Sequence, residues 1–115
     1  MSKIIVGIID DIFAGETLEI LFQLKKDGAI SSIATDTVTL TIKEDKSDAD
    51  AAAVLQANAD VTTYGGDGIA YWNLTPVQMA ITPGVYYIDV VWYDGTKEHV
   101  VYDGTVKIKT RVSDL

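Results

Sequence analysis

Val85-Tyr86-Tyr87-Ile88-Asp89-Val90-Val91-Trp92-Tyr93-Asp94-Gly95-Thr96-Lys97-Glu98-His99-Val100-Val101-Tyr102 decides how this chain folds. In an extended strand, successive side chains point to opposite faces. Tyr86, Ile88, Val90 and Trp92 therefore share one face, and Tyr87, Asp89, Val91 and Tyr93 share the other. Asp94-Gly95-Thr96 offers the glycine that a tight hairpin turn needs, so the chain is expected to return over Glu98 to Tyr102. Asp103-Gly104 predicts a kink or bulge, after which Val106 to Thr110 completes the pairing.

The same period of two extends outward from this hairpin. Leu18, Ile20, Phe22 and Leu24 alternate with polar residues, and Val38, Leu40 and Ile42 alternate with Thr37, Thr39, Thr41 and Lys43. Asp27-Gly28 marks a turn, Val54 to Asn58 reads as a short strand, and Ile69 to Leu74 reads as another, carrying Trp72. Asp48 to Ala53 predicts a helical turn with Asp48 near its start, and Tyr64-Gly65-Gly66-Asp67-Gly68 a glycine-rich turn. Thr75-Pro76-Val77-Gln78 has the residues of a helix start: a threonine cap, proline at the first position and glutamine at the third. Pro83-Gly84 ends that helix within a turn or two. Short strands separated by turn signals, with no helical stretch long enough to cross between parallel strands, predict an all-β antiparallel sandwich with one or two short helical turns.

The chain has 115 residues, one domain's worth, with 17 acidic residues against nine Lys and Arg and a formal charge of −8. Such a surface repels phosphate backbones and anionic membranes, so neither nucleic acid nor membrane is an expected partner. The absence of cysteine removes disulfides, thiolate metal sites and cysteine nucleophiles. Ile4, Ile5, Val6, Ile8 and Ile9 form a β-prone run within residues 1–11. It is too short for a signal-peptide core and is followed by Asp10 and Asp11, and no run approaches the roughly 20 apolar residues of a membrane span. Two readings of the run stay open: an ordinary first strand, or an arm that adds to a neighbouring subunit's sheet edge. Residues 12–115 form the domain proper.

No constellation for catalysis is present. His99 is the only histidine, expected exposed on the face opposite Val100 and Tyr102, and no serine sits in a nucleophile elbow. Asp45, Asp48 and Asp50 invite a Ca²⁺ reading, but they lack the glycine and distal glutamate of a Ca²⁺ loop, and a solvated capping turn explains them. The glycines after Tyr64 have no lysine and no following helix to cradle a phosphate. The expectation is therefore no enzyme, no cofactor and no metal. Trp72 and Trp92 fall on the apolar faces of their strands, which assigns them to the core rather than to a sugar platform. Tyr87, Val91 and Tyr93 lie opposite that core row, where an apolar strip suits a protein contact.

From Gly15 onward the motif order resembles the small immunoglobulin-like domains of tailed-phage virion proteins, including the N-terminal domain of phage baseplate upper proteins. The landmarks are Ala14-Gly15-Glu16-Thr17 opening a strand, the threonine-rich Val38 to Ile42, Asp48 to Ala53, and Gly68-Ile69 leading to Leu74-Thr75-Pro76. They end with Pro83-Gly84-Val85-Tyr86-Tyr87-Ile88-Asp89-Val90, Asp94-Gly95 and Asp103-Gly104-Thr105-Val106. The resemblance implies an immunoglobulin-like sandwich and a structural virion component of the tail, neck, baseplate, fibre attachment or decoration. It would be made in the host cytoplasm, present in several copies and bound to other virion proteins. Residues before Ile12 are outside the pattern. Baseplate relatives continue into further regions, so an end at Leu115 suggests a stand-alone connector, decoration or accessory protein. The competing expectation is a carbohydrate- or cell-surface-binding module built on the aromatics.

Overall fold

Alternation along residues 84–93 organises the whole domain. The computed structural model describes residues 2–6, 12–26, 28–30 and 32–110. Its strands are β1 (Ser2–Val6), β2 (Ile12–Phe13), β3 (Thr17–Gln23), β4 (Lys25–Lys26), β5 (Ala29–Ile30), β6 (Thr37–Lys43), β7 (Leu55–Asn58), β8 (Ile69–Leu74), β9 (Gly84–Tyr93) and β10 (Glu98–Lys109). Among the described residues, one sheet has the order β2-β10-β9-β6-β7 and a second has the order β1-β3-β8, with β4 and β5 as a small separate hairpin. The fold is an all-β sandwich with single 3₁₀ turns at Asp50–Ala52 and Gly65–Asp67.

β9 is the centre of the larger sheet. Thr37 to Lys43 pair antiparallel with Tyr93 to Tyr87 on one side, and Glu98 to Ile108 pair antiparallel with Tyr93 to Gly84 on the other. Tyr86, Ile88, Val90 and Trp92 point inward with Val38, Leu40, Ile42, Val106 and Ile108. Leu18, Ile20, Phe22, Ala70, Trp72 and Leu74 of β3 and β8 meet them from the opposite layer. Burying each such aliphatic or aromatic side chain stabilises the fold by about 1.5–3 kcal/mol. Loop residues complete the core: Ile33, Met79 and Ile81 are buried although none belongs to a strand.

Antiparallel pairing holds within the sheets, but both edges contributed by the start of the chain are parallel. β1 runs beside β3 from Ser2 opposite Thr17 to Val6 opposite Leu21. β2 then sits on the other sheet, with Ile12 and Phe13 beside Ile108 and Lys109. Ile4, Ile5 and Val6 stand opposite Glu19, Ile20 and Leu21 of β3. Ile8 and Ile9 lie outside the described residues.

The bulge in β10 is displaced from its expected place. Gly104 keeps regular register opposite Ile88, and the shift falls between Val100 and Tyr102, which leaves Val101 as the extra residue. The physical cause is phase. Val100 faces outward across from Val91, whereas Val106 and Ile108 must face the core, and one inserted residue converts the first phase into the second. Tyr102 consequently lies across from the buried Val90, on the same side as His99 and Trp92, not opposite His99.

Thr75 and Gln78 make the reciprocal cap expected of them. The Gln78 N–H donates to Thr75 Oγ1 at 3.2 Å, and the Thr75 N–H donates to Gln78 Oε1 at 2.9 Å. The result is a single turn closed by the Met79 N–H on the Thr75 carbonyl at 3.0 Å, which seats Met79 in the core. Thr75→Ala is expected to cost about 1 kcal/mol in chemical denaturation, the usual worth of such a cap. Asp48 does not cap the turn at Asp50–Ala52; its carboxylate accepts the Asp45 N–H instead.

Candidate functional site

The outward face of the larger sheet is the surface that alternation predicts. Tyr87 and Tyr93 stand on it, 39% and 44% exposed, with Val91 half-buried between them. Two residues that sequence reasoning did not assign widen the strip. Val85, at 66%, continues the odd-numbered row of β9, and Val100, at 65%, stands directly across from Val91 on β10. Val85 was legible from parity alone. Val100 required the hairpin register, which the sequence does not state.

Charged groups flank and interrupt the strip. Toward its Val85 end lie Lys107, paired opposite Val85, and Lys43, opposite Tyr87. Lys46 sits with its ammonium 5.5 Å from the Tyr87 ring centre, a cation–π contact that holds the ring in place. Glu98 lies at the other end, opposite Tyr93, and Asp89 and Asp103 face each other in the middle, between Tyr87 and Val91. Lys43 is committed to Asp50 at 2.8 Å and to the Asp48 carbonyl at 2.8 Å. Two shallow grooves, of about 220 Å³ and 340 Å³, cross the face on either side of Asp89 and Thr41.

Burial in the middle of this face raises the Asp89 pKa, and neighbouring Asp103 and Asp50 add to the rise while Lys43 opposes it. A carboxyl whose folded pKa lies above its unfolded value costs stability when charged, and the cost disappears as pH falls through the folded pKa. Asp89→Asn is therefore expected to raise the melting temperature at pH 7 by up to about 3 °C, with that advantage shrinking to nothing near pH 3. Paired thermal melts of parent and variant across this range check it.

The other candidate groups are accounted for elsewhere. The Trp72 indole is 2% exposed and donates its N–H to the Ala57 carbonyl at 2.9 Å, and Trp92 is 6% exposed and donates to Asp36 Oδ2 at 2.9 Å. With polar tips satisfied and ring bodies buried, both tryptophans are core residues. Tyr86 is buried and donates to the Thr82 carbonyl, and Tyr102 packs on Phe22 with ring centres 5.6 Å apart. Tyr64, just before the 3₁₀ turn, and Tyr71 of β8 form an edge-to-face pair. The Tyr71 hydroxyl donates to the Glu19 carboxylate, which pushes its pKa up to about 12.

Asp45 accepts from the Ser47 N–H and hydroxyl, and Asp50 pairs with Lys43, so the aspartates of that turn are engaged in local structure. Among the described residues, no group of three or more His, Asp or Glu is arranged to hold a metal ion. No helix among them is long and apolar enough to cross a membrane. His99 is exposed, with Nε2 3.0 Å from Asp94 Oδ2 and its ring 5.7 Å from that of Trp92.

No model of a known protein family matches the chain, and no curated protein matches it either. Among solved structures, the chain is similar to the N-terminal domain of phage TP901-1 ORF48, at 8% sequence identity and a TM-score of 0.47, over 96% of this chain and 98% of that one.

Proposed function

We propose that this protein is a structural component of a bacteriophage particle, which docks on other particle proteins, in several copies, through the outward face of its larger sheet. The observation that carries the reading is the strip itself: Val85, Tyr87, Val91, Tyr93 and Val100 share the outward face of one sheet. Tyrosine and valine there add apolar area with little side-chain entropy to lose, and charged groups of both signs lie among and around them, so a partner would meet apolar contacts and charge complementarity together. The order of motifs from Gly15 to Val106 supports the phage assignment. The chemistry is assembly without catalysis: the face carries no histidine or elbow serine, and its carboxylates and lysines are spread along the strands, with Asp89 beside Asp103 and Lys43 held by Asp50. In this reading the β1 edge, and Ile8 and Ile9 beyond it, provide a second contact.

The carbohydrate-binding alternative loses its aromatic platform, because both tryptophans are buried. To test assembly, the purified protein is measured by native mass spectrometry and sought in purified phage particles by peptide mass spectrometry. Several copies per particle are expected. A protein that stays monomeric and is absent from particles would overturn the proposal.

A further inference from the structure

The tip of the β9–β10 hairpin forms a groove of about 580 Å³, within the usual range for small-molecule sites and apart from the outward sheet face. We infer that this groove binds a small polyhydroxylated anion, a sugar carrying a phosphate or a carboxylate.

Charge is the first argument. The chain carries a formal −8, yet Lys25 of β4 and Lys97 of the hairpin converge on this one groove beside His99. Among the described residues, neither lysine side chain has an ion-pair partner, whereas Lys43 is paired with Asp50. Asp94 also lines the groove, but its carboxylate is already engaged. Oδ1 accepts the Thr96 and Lys97 N–H groups at 3.0 Å and 2.9 Å, and Oδ2 meets His99 Nε2 at 3.0 Å. The two ammonium groups are left for an anion from outside.

Preorganisation is the second. Asp94 braces the turn through its backbone bonds and fixes the imidazole, which also leans on Trp92. Trp92 is itself anchored through its N–H to Asp36. Groups held in place before binding lose little entropy when a ligand arrives. The non-ionic lining matches the rest of a sugar: Val101 and the Trp92 edge offer apolar contact for C–H groups, while the Thr96 hydroxyl and the second nitrogen of His99 offer hydrogen bonds to hydroxyls.

The test is a titration of the ¹⁵N-labelled full chain, at constant ionic strength, with glucose 6-phosphate, glucuronate, glucose and sulfate in turn. Saturable shifts at the Thr96, Lys97, His99 and Val101 amides are expected with an anionic sugar, and which of the two binds identifies the charged group. Lys25→Ala and Lys97→Ala should each raise Kd about two- to fivefold, the worth of a partly exposed ion pair, while Lys107→Ala on the sheet face should not. Thermal melts of each variant establish that it is folded. Absence of saturable shifts at the hairpin tip, equal binding of plain glucose, equal binding of sulfate, or indifference to both lysine changes would overturn the inference. Particle association rests on other residues, so a failure here and a failure of assembly are separate results.

Discussion

Trp92→Ala is expected to destabilise the protein by about 3–5 kcal/mol, while its neighbour Tyr93→Ala should cost less than about 1 kcal/mol. Trp92 stands in the inward row of β9 with its ring buried and its N–H bound to Asp36. Truncation leaves a cavity between the sheets and an acceptor without its donor, and both terms have the same sign. Domains of this size have total stabilities of about 5–15 kcal/mol, so the variant stands near the edge of folding at ambient temperature. Tyr93 is one residue further along the same strand, but its ring lies on the surface and its hydroxyl reaches only the Gly95 carbonyl. Urea denaturation of the two variants reads the difference directly. Equal midpoints would mean that side-chain alternation along β9 is not as described.

The converse holds for association. Tyr87→Glu combined with Tyr93→Glu is expected to leave the melting temperature within about 5 °C of the parent and to weaken docking on the particle by at least about 100-fold. Each substitution replaces a partly exposed ring with a charge that any apolar partner would have to desolvate, and the loss of Tyr87 also frees Lys46 from its ring contact. Copy number in particles grown from the variant, measured against the parent, checks it. An unchanged copy number would remove the outward sheet face from the assembly surface.

The parts of the fold that were legible in the sequence are those where one face of a strand is buried. β3, β6, β8 and β9 follow the period of two to within a residue or so at each end, because a slip of one would turn Ile20, Leu40, Trp72 or Ile88 out of the core. Elements that escaped prediction lack that constraint. β2 is two residues long, and β4 and β5 are two each around Asp27-Gly28, so no alternation exists to read. No side-chain pattern encodes the parallel direction of β1 beside β3. Ile33 and Met79 are single apolar residues in loops whose burial depends on what closes over them: the Ile33 N–H binds the Gly65 carbonyl, and an added Cβ on Gly65 would press to 3.2 Å of the Ala34 Cα.

Tyr87, Val91 and Tyr93 face outward as parity predicts, since their direction depends only on β9. Features that need two strands in register were not accessible from one of them. Val100 joins the strip through its pairing with Val91, and the bulge at Val101 moves Tyr102 to the inner side. Glycine at Gly104 drew the bulge reading to itself, yet it adopts no positive φ and stays in the ladder. The groove at the hairpin tip is a meeting of Lys25 with residues some seventy positions later, and only the folded chain brings them together.

Hydroxyl-radical footprinting of the free protein, read by mass spectrometry at single residues of β9, tests the two-faced strand most directly. Tyr87 and Tyr93 should oxidise several-fold faster than Tyr86, and Trp92 should be slow despite its intrinsically high reactivity. Rapid oxidation of Trp92 and Tyr86 together with protection of Tyr87 and Tyr93 would contradict it.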